Sequence, residues 1–196
     1  QQLTIRFQKI IQEALKNVGI KEGDIVLLHS DSTAVREITG LKWAKVLNLI
    51  KDCFINVLGE SGTLIVPTFN WDFCKGKTYF HKTTPSQVGM FSNNVLFDKR
   101  SIRSLHPIYS FAGIGSAAKD IFSNISKSSY GENSVFHKLH KKNAKIISFC
   151  IDPNIMNKGY ATTGECCWNK VVFYDTNEKQ YYLRHFTKSK IRGWDQ

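Results

Sequence analysis

The sequence predicts a three-layer α/β/α domain around a central mixed sheet, and three observations carry that expectation. Two stretches with helical period, residues 3–18 and 41–58, each lead into a short, largely β-branched or leucine-rich run. Those runs, Ile25-Val26-Leu27-Leu28 and Thr63-Leu64-Ile65-Val66, show no polar alternation, as strands covered on both faces do. With 196 residues, 42% hydrophobic content and four prolines, the chain is long enough for one sizeable core and too apolar to stay disordered. Residues 1–196 are therefore expected to form a single domain.

Along the first helix, Leu3, Phe7, Ile10, Ile11, Ala14, Leu15 and Val18 recur at helical spacing, and Gly19 stands where a terminator belongs. The second helix repeats the pattern through Leu41, Ala44, Leu47, Ile50, Phe54 and Leu58, with Gly59 and Gly62 bracketing the turn into Thr63. Residues 67–110 hold three prolines and no clear period apart from a short helical signal near Val88 to Phe97; a stretch of that kind usually carries function. A further strand is expected at 146–151 (Ile-Ile-Ser-Phe-Cys-Ile), and a late hairpin at 171–174 and 180–186 around Asp175-Thr176-Asn177.

Composition excludes several classes. No apolar run approaches the ~20 residues a membrane-spanning helix requires. The first residues are polar where a secretory leader would be apolar, so a cytoplasmic protein with no membrane partner is expected. Five scattered cysteines (Cys53, Cys74, Cys150, Cys166, Cys167) suit reduced thiols, and without a Cys-x-x-Cys clamp near His137 and His140 no metal is expected. The formal charge of +11 is uneven: residues 1–98 are at net +2 and residues 99–196 at net +9. Such a field attracts polyanions. Nucleic acid is not the expected partner, because neither a basic helix nor a stacking sheet is evident.

Four segments could carry chemistry. The first strand runs into His29-Ser30-Asp31-Ser32-Thr33, a polar bend where open α/β sheets place ligands. Its hydroxyls and N–H groups could hold phosphate oxygens; capping of the next helix is the plainer alternative. Val66-Pro67-Thr68-Phe69-Asn70-Trp71-Asp72-Phe73 gathers aromatic rings around one carboxylate, fitted either to stack a sugar and hold an amine or to plug the domain. Ser104-Leu105-His106-Pro107 holds a titratable histidine before a proline, and Tyr130-Gly131-Glu132-Asn133-Ser134 forms a turn.

Taken in order, these pieces resemble the aminoglycoside 3-N-acetyltransferase family, which moves an acetyl group from acetyl-CoA to an amine. The resemblance spans residues 3–152. It rests on Gly23-Asp24-Ile25 through Ser30, Gly62-Thr63-Leu64-Ile65-Val66-Pro67-Thr68 and Thr84-Pro85-Ser86-Gln87-Val88-Gly89, then on Ser104-Leu105-His106-Pro107 with Ser110, Gly113-Ile114-Gly115, Tyr130-Gly131 and Ser134. It implies that His29, Ser30, Asp31, Ser32, Thr33, Ser86, His106, Ser110 and Ser134 line a cleft for acetyl-CoA and the acceptor. It places Trp71 and Asp72 near the acceptor amine. Members usually run longer, so a form shortened at the C-terminus is expected.

One departure bears on mechanism. Family members carry a Thr-x-x-His-x-x-Glu-like element whose histidine is the expected proton acceptor, and here no histidine lies between His140 and His185. The nearest counterpart reads Ala161-Thr162-Thr163-Gly164-Glu165, so Glu165 and His106 are the candidate bases. A strongly basic chain repels polycationic aminoglycosides and attracts anionic amino sugars. The expected reaction is therefore acyl transfer to a primary amine of an amino sugar, with surface polysaccharide synthesis preferred to antibiotic modification. The alternative is a non-catalytic relative keeping a CoA- or sugar-binding cleft.

Overall fold

The computed structural model describes residues 2–151, 171–175 and 180–184. Its elements are helix α1 (Gln2–Asn17), strand β1 (Ile25–Ser30), helices α2 (Thr33–Thr39) and α3 (Trp43–Leu58), and strand β2 (Thr63–Pro67). A 3₁₀ turn at Asp72–Lys75 and α4 (Met90–Leu96) precede β3 (Ile102–Arg103) and β4 (Phe111–Gly115). Then come α5 (Ala118–Phe122), α6 (Val135–Lys141), β5 (Lys145–Phe149), β6 (Val171–Asp175) and β7 (Gln180–Arg184). The seven strands form one mixed sheet in the order β3-β4-β2-β1-β5-β6-β7. β1 pairs parallel with both β2 and β5, while β4 runs antiparallel to β2 and β7 antiparallel to β6.

Strand alternation divides the core into two layers. Val26, Leu28, Leu64, Val66, Ala112, Ile114, Ile147 and Phe149 face one cluster, which α1, α3 and α4 complete with Leu15, Phe54 and Val95. Leu27, Ile65, Phe111 and Ile146 face the opposite cluster, closed by Ile121 of α5 and Phe136 and Leu139 of α6. Helices on both faces explain why the central strands read as unbroken apolar runs. Each fully buried side chain of this size, such as Phe54 or Phe111, contributes roughly 1.5–3 kcal/mol of transfer free energy.

The edge where β2 meets β4 depends on two glycines. A Cβ on Gly115, whose φ is 133°, would stand 2.2 Å from the Gly62 carbonyl oxygen, and one on Gly62 would stand 2.4 Å from the Leu58 carbonyl oxygen. Only glycine permits that approach. Because β1 continues to β2 on one side and lies beside β5 on the other, the connections diverge at the carboxyl end of β1, the point at which open α/β sheets place ligands.

Candidate active site

The bend after β1 sits at that point. The Asp31 N–H donates to the Phe149 carbonyl (2.9 Å), prolonging the β1–β5 pairing by one residue. Asp31 Oδ1 accepts from the Thr33 N–H (2.9 Å), which opens α2. Between them Ser32 is buried, and its hydroxyl meets no partner among the described residues. A buried unpaired hydroxyl is uncommon and calls for a reason. His29, half-buried at the end of β1, is pushed down to about 4 by burial, so its imidazole is neutral near pH 7.

A second group ties β2, β3 and β4 to the loop before α4. Past Pro67, the Thr68 N–H donates to the Ser110 carbonyl (2.8 Å) and the Asn70 N–H to the Ile108 carbonyl (2.9 Å), so the pairing runs beyond the strands themselves. Arg103, nine-tenths buried, donates Nε to Ser110 Oγ (3.0 Å), Nη2 to the Thr68 carbonyl (3.1 Å) and Nη1 to the Thr84 carbonyl (2.6 Å). Its guanidinium lies 5.1 Å from the Tyr79 ring centre. Ser110 Oγ itself donates to the Thr68 carbonyl (2.9 Å) and also meets Thr68 Oγ1 at 2.9 Å. Carbonyl oxygens and a ring face here replace the carboxylate that a buried guanidinium ordinarily takes.

The third group surrounds His106, which is also nine-tenths buried. Its Nδ1 accepts the N–H groups of Ile108 (3.1 Å) and Tyr109 (2.8 Å), and its Nε2 lies 3.1 Å from Ser129 Oγ. Two donors on Nδ1 assign the proton to Nε2, making the ring a donor toward Ser129. Burial pushes its pKa down, a shift partly opposed by the Lys127 carbonyl. His106 also lines a groove of about 590 Å³ whose wall includes Phe73, Leu105, Phe122, Ile125 and Lys127.

The structure brings most of the residues implied by sequence to this end of the sheet, in differing states. Ser86 is buried, its backbone clamped by Asn93, which accepts from the Ser86 N–H (2.8 Å) and donates to the Ser86 carbonyl (3.0 Å). Ser86 Oγ accepts from the Val88 N–H (3.1 Å). Ser134 Oγ caps α6 through the His137 N–H (3.1 Å). Trp71 is partly exposed, and Asp72 pairs with Lys77 Nζ (3.0 Å), which holds its carboxyl below the usual range. Phe69 makes edge contacts with Phe111, Tyr109 and Trp71, so the rings run from core to surface. Glu165 lies outside the described residues. Sequence reasoning missed Arg103, Ser129 and Lys127. The only signal for Arg103 was its place directly before the quoted Ser104-Leu105-His106-Pro107.

Among the described residues no group of three or more His, Cys, Asp or Glu side chains could hold a metal ion, and no helix is long and apolar enough to cross a membrane. The profile of the aminoglycoside 3-N-acetyltransferase family matches residues 27–155. The fold is similar to AAC-IIIb in binary complex with CoASH, at TM-score 0.67 and 14% identity, covering 90% of this chain and 74% of that one. It is similar to sisomicin-bound AAC-VIa at TM-score 0.66 and 16% identity, with 90% and 74% covered. The YokD protein from Bacillus subtilis gives TM-score 0.68 and 20% identity, with 90% and 79% covered. No curated protein matches the chain in sequence.

Proposed function

We infer function from a premise about kinship: the chain belongs to the aminoglycoside 3-N-acetyltransferase family, whose members are acetyl-CoA-dependent N-acetyltransferases. On that premise the chain transfers acetyl from acetyl-CoA to a primary amine of an amino sugar by direct attack. The amine nitrogen adds to the thioester carbonyl, a base takes its proton, and the C–S bond breaks as the base returns that proton to the sulfur, releasing CoA as the thiol. Holding the amine near the thioester supplies a large part of such a rate enhancement.

The observation that carries this reading is the bend at the carboxyl end of β1. There the buried Ser32 hydroxyl finds no partner among the described residues, at the carboxyl end of the sheet where folds of this kind bind ligands. Ser32, with Ser30 and Thr33 beside it, would take oxygens of the CoA pyrophosphate. Ser110, Ser86 and Ser134 support the cleft from behind, since their hydroxyls are engaged in the scaffold. Trp71 and Asp72 stand toward the acceptor.

His106 suits donation better than proton removal. Protonating Nδ1 would displace two backbone N–H groups, whereas Nε2–H and Ser129 together can orient or stabilise a developing oxyanion. Glu165 is then the proposed base. Acetyl-CoA and a panel of amino sugars, with thiol release as readout, test the reading. Glu165→Gln is expected to lower kcat by about 10²–10⁴-fold with CoA affinity retained. Release unaffected by the change removes Glu165 from the mechanism, and CoA binding without release from any acceptor establishes a non-catalytic cleft.

A further inference from the structure

We propose that the groove beside His106 seats the nucleotide of a nucleoside-diphosphate-linked amino sugar, so that the acceptor is an anion and not a polycation. The inference rests on the acyl-transfer reading and adds the acceptor's class. The groove's volume, about 590 Å³, lies within the range of small-molecule sites. Its walls are mainly apolar, from Phe73, Pro107, Ile108, Phe122 and Ile125, and its one charged lining residue among those described is Lys127.

Apart from the proposed base Glu165, a multiply protonated aminoglycoside would find no carboxylate among the described lining residues. The nearest one in sequence, Asp72 beside Phe73, is engaged by Lys77. A flat nucleobase matches the half-exposed Phe73 ring and the exposed Leu105 side chain, both of which remain open to a ligand. The diphosphate would then meet the exposed Lys127 within a field of +11 overall. His106 forms part of the same wall, so a sugar attached to that nucleotide extends toward the Nε2–Ser129 pair. The transfer itself is unchanged: a C–N bond forms, the C–S bond breaks, and the amine proton passes to the base and from it to the departing sulfur, so that CoA leaves as the thiol.

Two measurements test this. In calorimetry, uridine diphosphate is expected to bind the full chain with and without saturating CoA, and Phe73→Ala and Lys127→Glu are each expected to weaken it. Both side chains are exposed, so neither variant puts folding at risk. In kinetics, kcat/KM for a uridine-diphosphate-linked amino hexose is expected to exceed that for the free amino hexose by about 100-fold, and Lys127→Glu to cut that ratio about tenfold. Displacement of uridine diphosphate by CoA would overturn the proposal, as would equal turnover of linked and free sugars or a preference for gentamicin. Nucleotide binding without thiol release from any acceptor would defeat the acyl-transfer reading while upholding the groove's ligand.

Discussion

Arg103 draws five separate groups together: the carbonyls of Thr68, His81 and Thr84, the Ser110 hydroxyl and the Tyr79 ring. Burial lowers its pKa from the ordinary arginine value, yet a guanidinium stays charged at any pH the protein meets. Removing the side chain would leave the part-buried His81 and Thr84 carbonyls without this donor and the Ser110–Thr68 pair without its charged partner, untying the loop before α4 from the carboxyl end of β2. Arg103→Met is therefore expected to cost about 3 kcal/mol of stability, read as a lower urea midpoint at constant slope. Lysine is not expected to restore it, because one ammonium cannot reproduce the planar fork that meets Ser110 and three carbonyls. Sequence could not show this. In a chain with 27 Lys and Arg, nothing local separates a buried arginine from a solvated one. His106 was legible as a candidate, but the backbone donors that fix its tautomer come from the turn geometry of residues 106–109.

Elements were legible where their pattern was long. The helices at residues 3–18 and 41–58 correspond to α1 and α3, and the expected hairpin corresponds to β6 and β7. β4 escaped because Phe-Ala-Gly-Ile-Gly carries two glycines and one alanine in five residues; its strand state comes from pairing with β2, which Gly115 and Gly62 together permit at that end. The expected strand at 146–151 is shorter, since Cys150 turns into positive φ at 58° after Phe149. Contacts between elements were invisible, and the ion pairs that join α3 to the turn after α4 are an example. Asp98 accepts from Arg100 Nε (2.9 Å) and Nη2 (2.8 Å) and meets Lys51 Nζ at 2.8 Å, with both Lys51 and Asp98 side chains largely buried. The Arg100 hydrogen bonds, then that of Lys51, hold its carboxyl well below the usual carboxylate range. A depressed native pKa gives stability that is complete above the unfolded value near 3.9 and lost as pH falls toward the native one. Asp98→Asn is thus expected to lower stability by about 2 kcal/mol at pH 7. The gap to the unmodified protein should narrow below about pH 4, as the unfolded-state carboxylate takes up a proton that the native one, held by Arg100 and Lys51, does not. Urea titrations at pH 7, 5 and 3 measure it, and a gap constant with pH would show that Asp98 acts through packing.

At the scale of the whole molecule, the layer architecture was legible in the sequence, as was the polar bend after β1 on which the proposed site is built, because central strands and that bend are local signals. The sequence did not disclose the groove, which joins Phe73 to residues 105–108 and 122–127 through the sheet order. Net charge is the one global property that passes from sequence to function without the fold, and it yields a prediction of its own. CoA carries a pyrophosphate and a further phosphate, and a molecule at +11 attracts it from a distance that salt shortens: the screening length is about 10 Å at 0.1 M ionic strength and shorter above it. Raising ionic strength from ~0.05 to ~0.3 M is expected to raise KM for acetyl-CoA about fivefold and leave kcat unchanged, since short-range interactions between groups already bound are screened little. Steering also fixes the sign for the acceptor. Salt should raise KM for an anionic acceptor, leave that of a neutral one unchanged, and lower that of a polycation by relieving repulsion. Steady-state kinetics across that salt series, with acetyl-CoA and each acceptor varied in turn, measure all of these. If KM for acetyl-CoA stays flat, the basic residues serve solubility, and affinity comes from short-range contacts at the β1 bend.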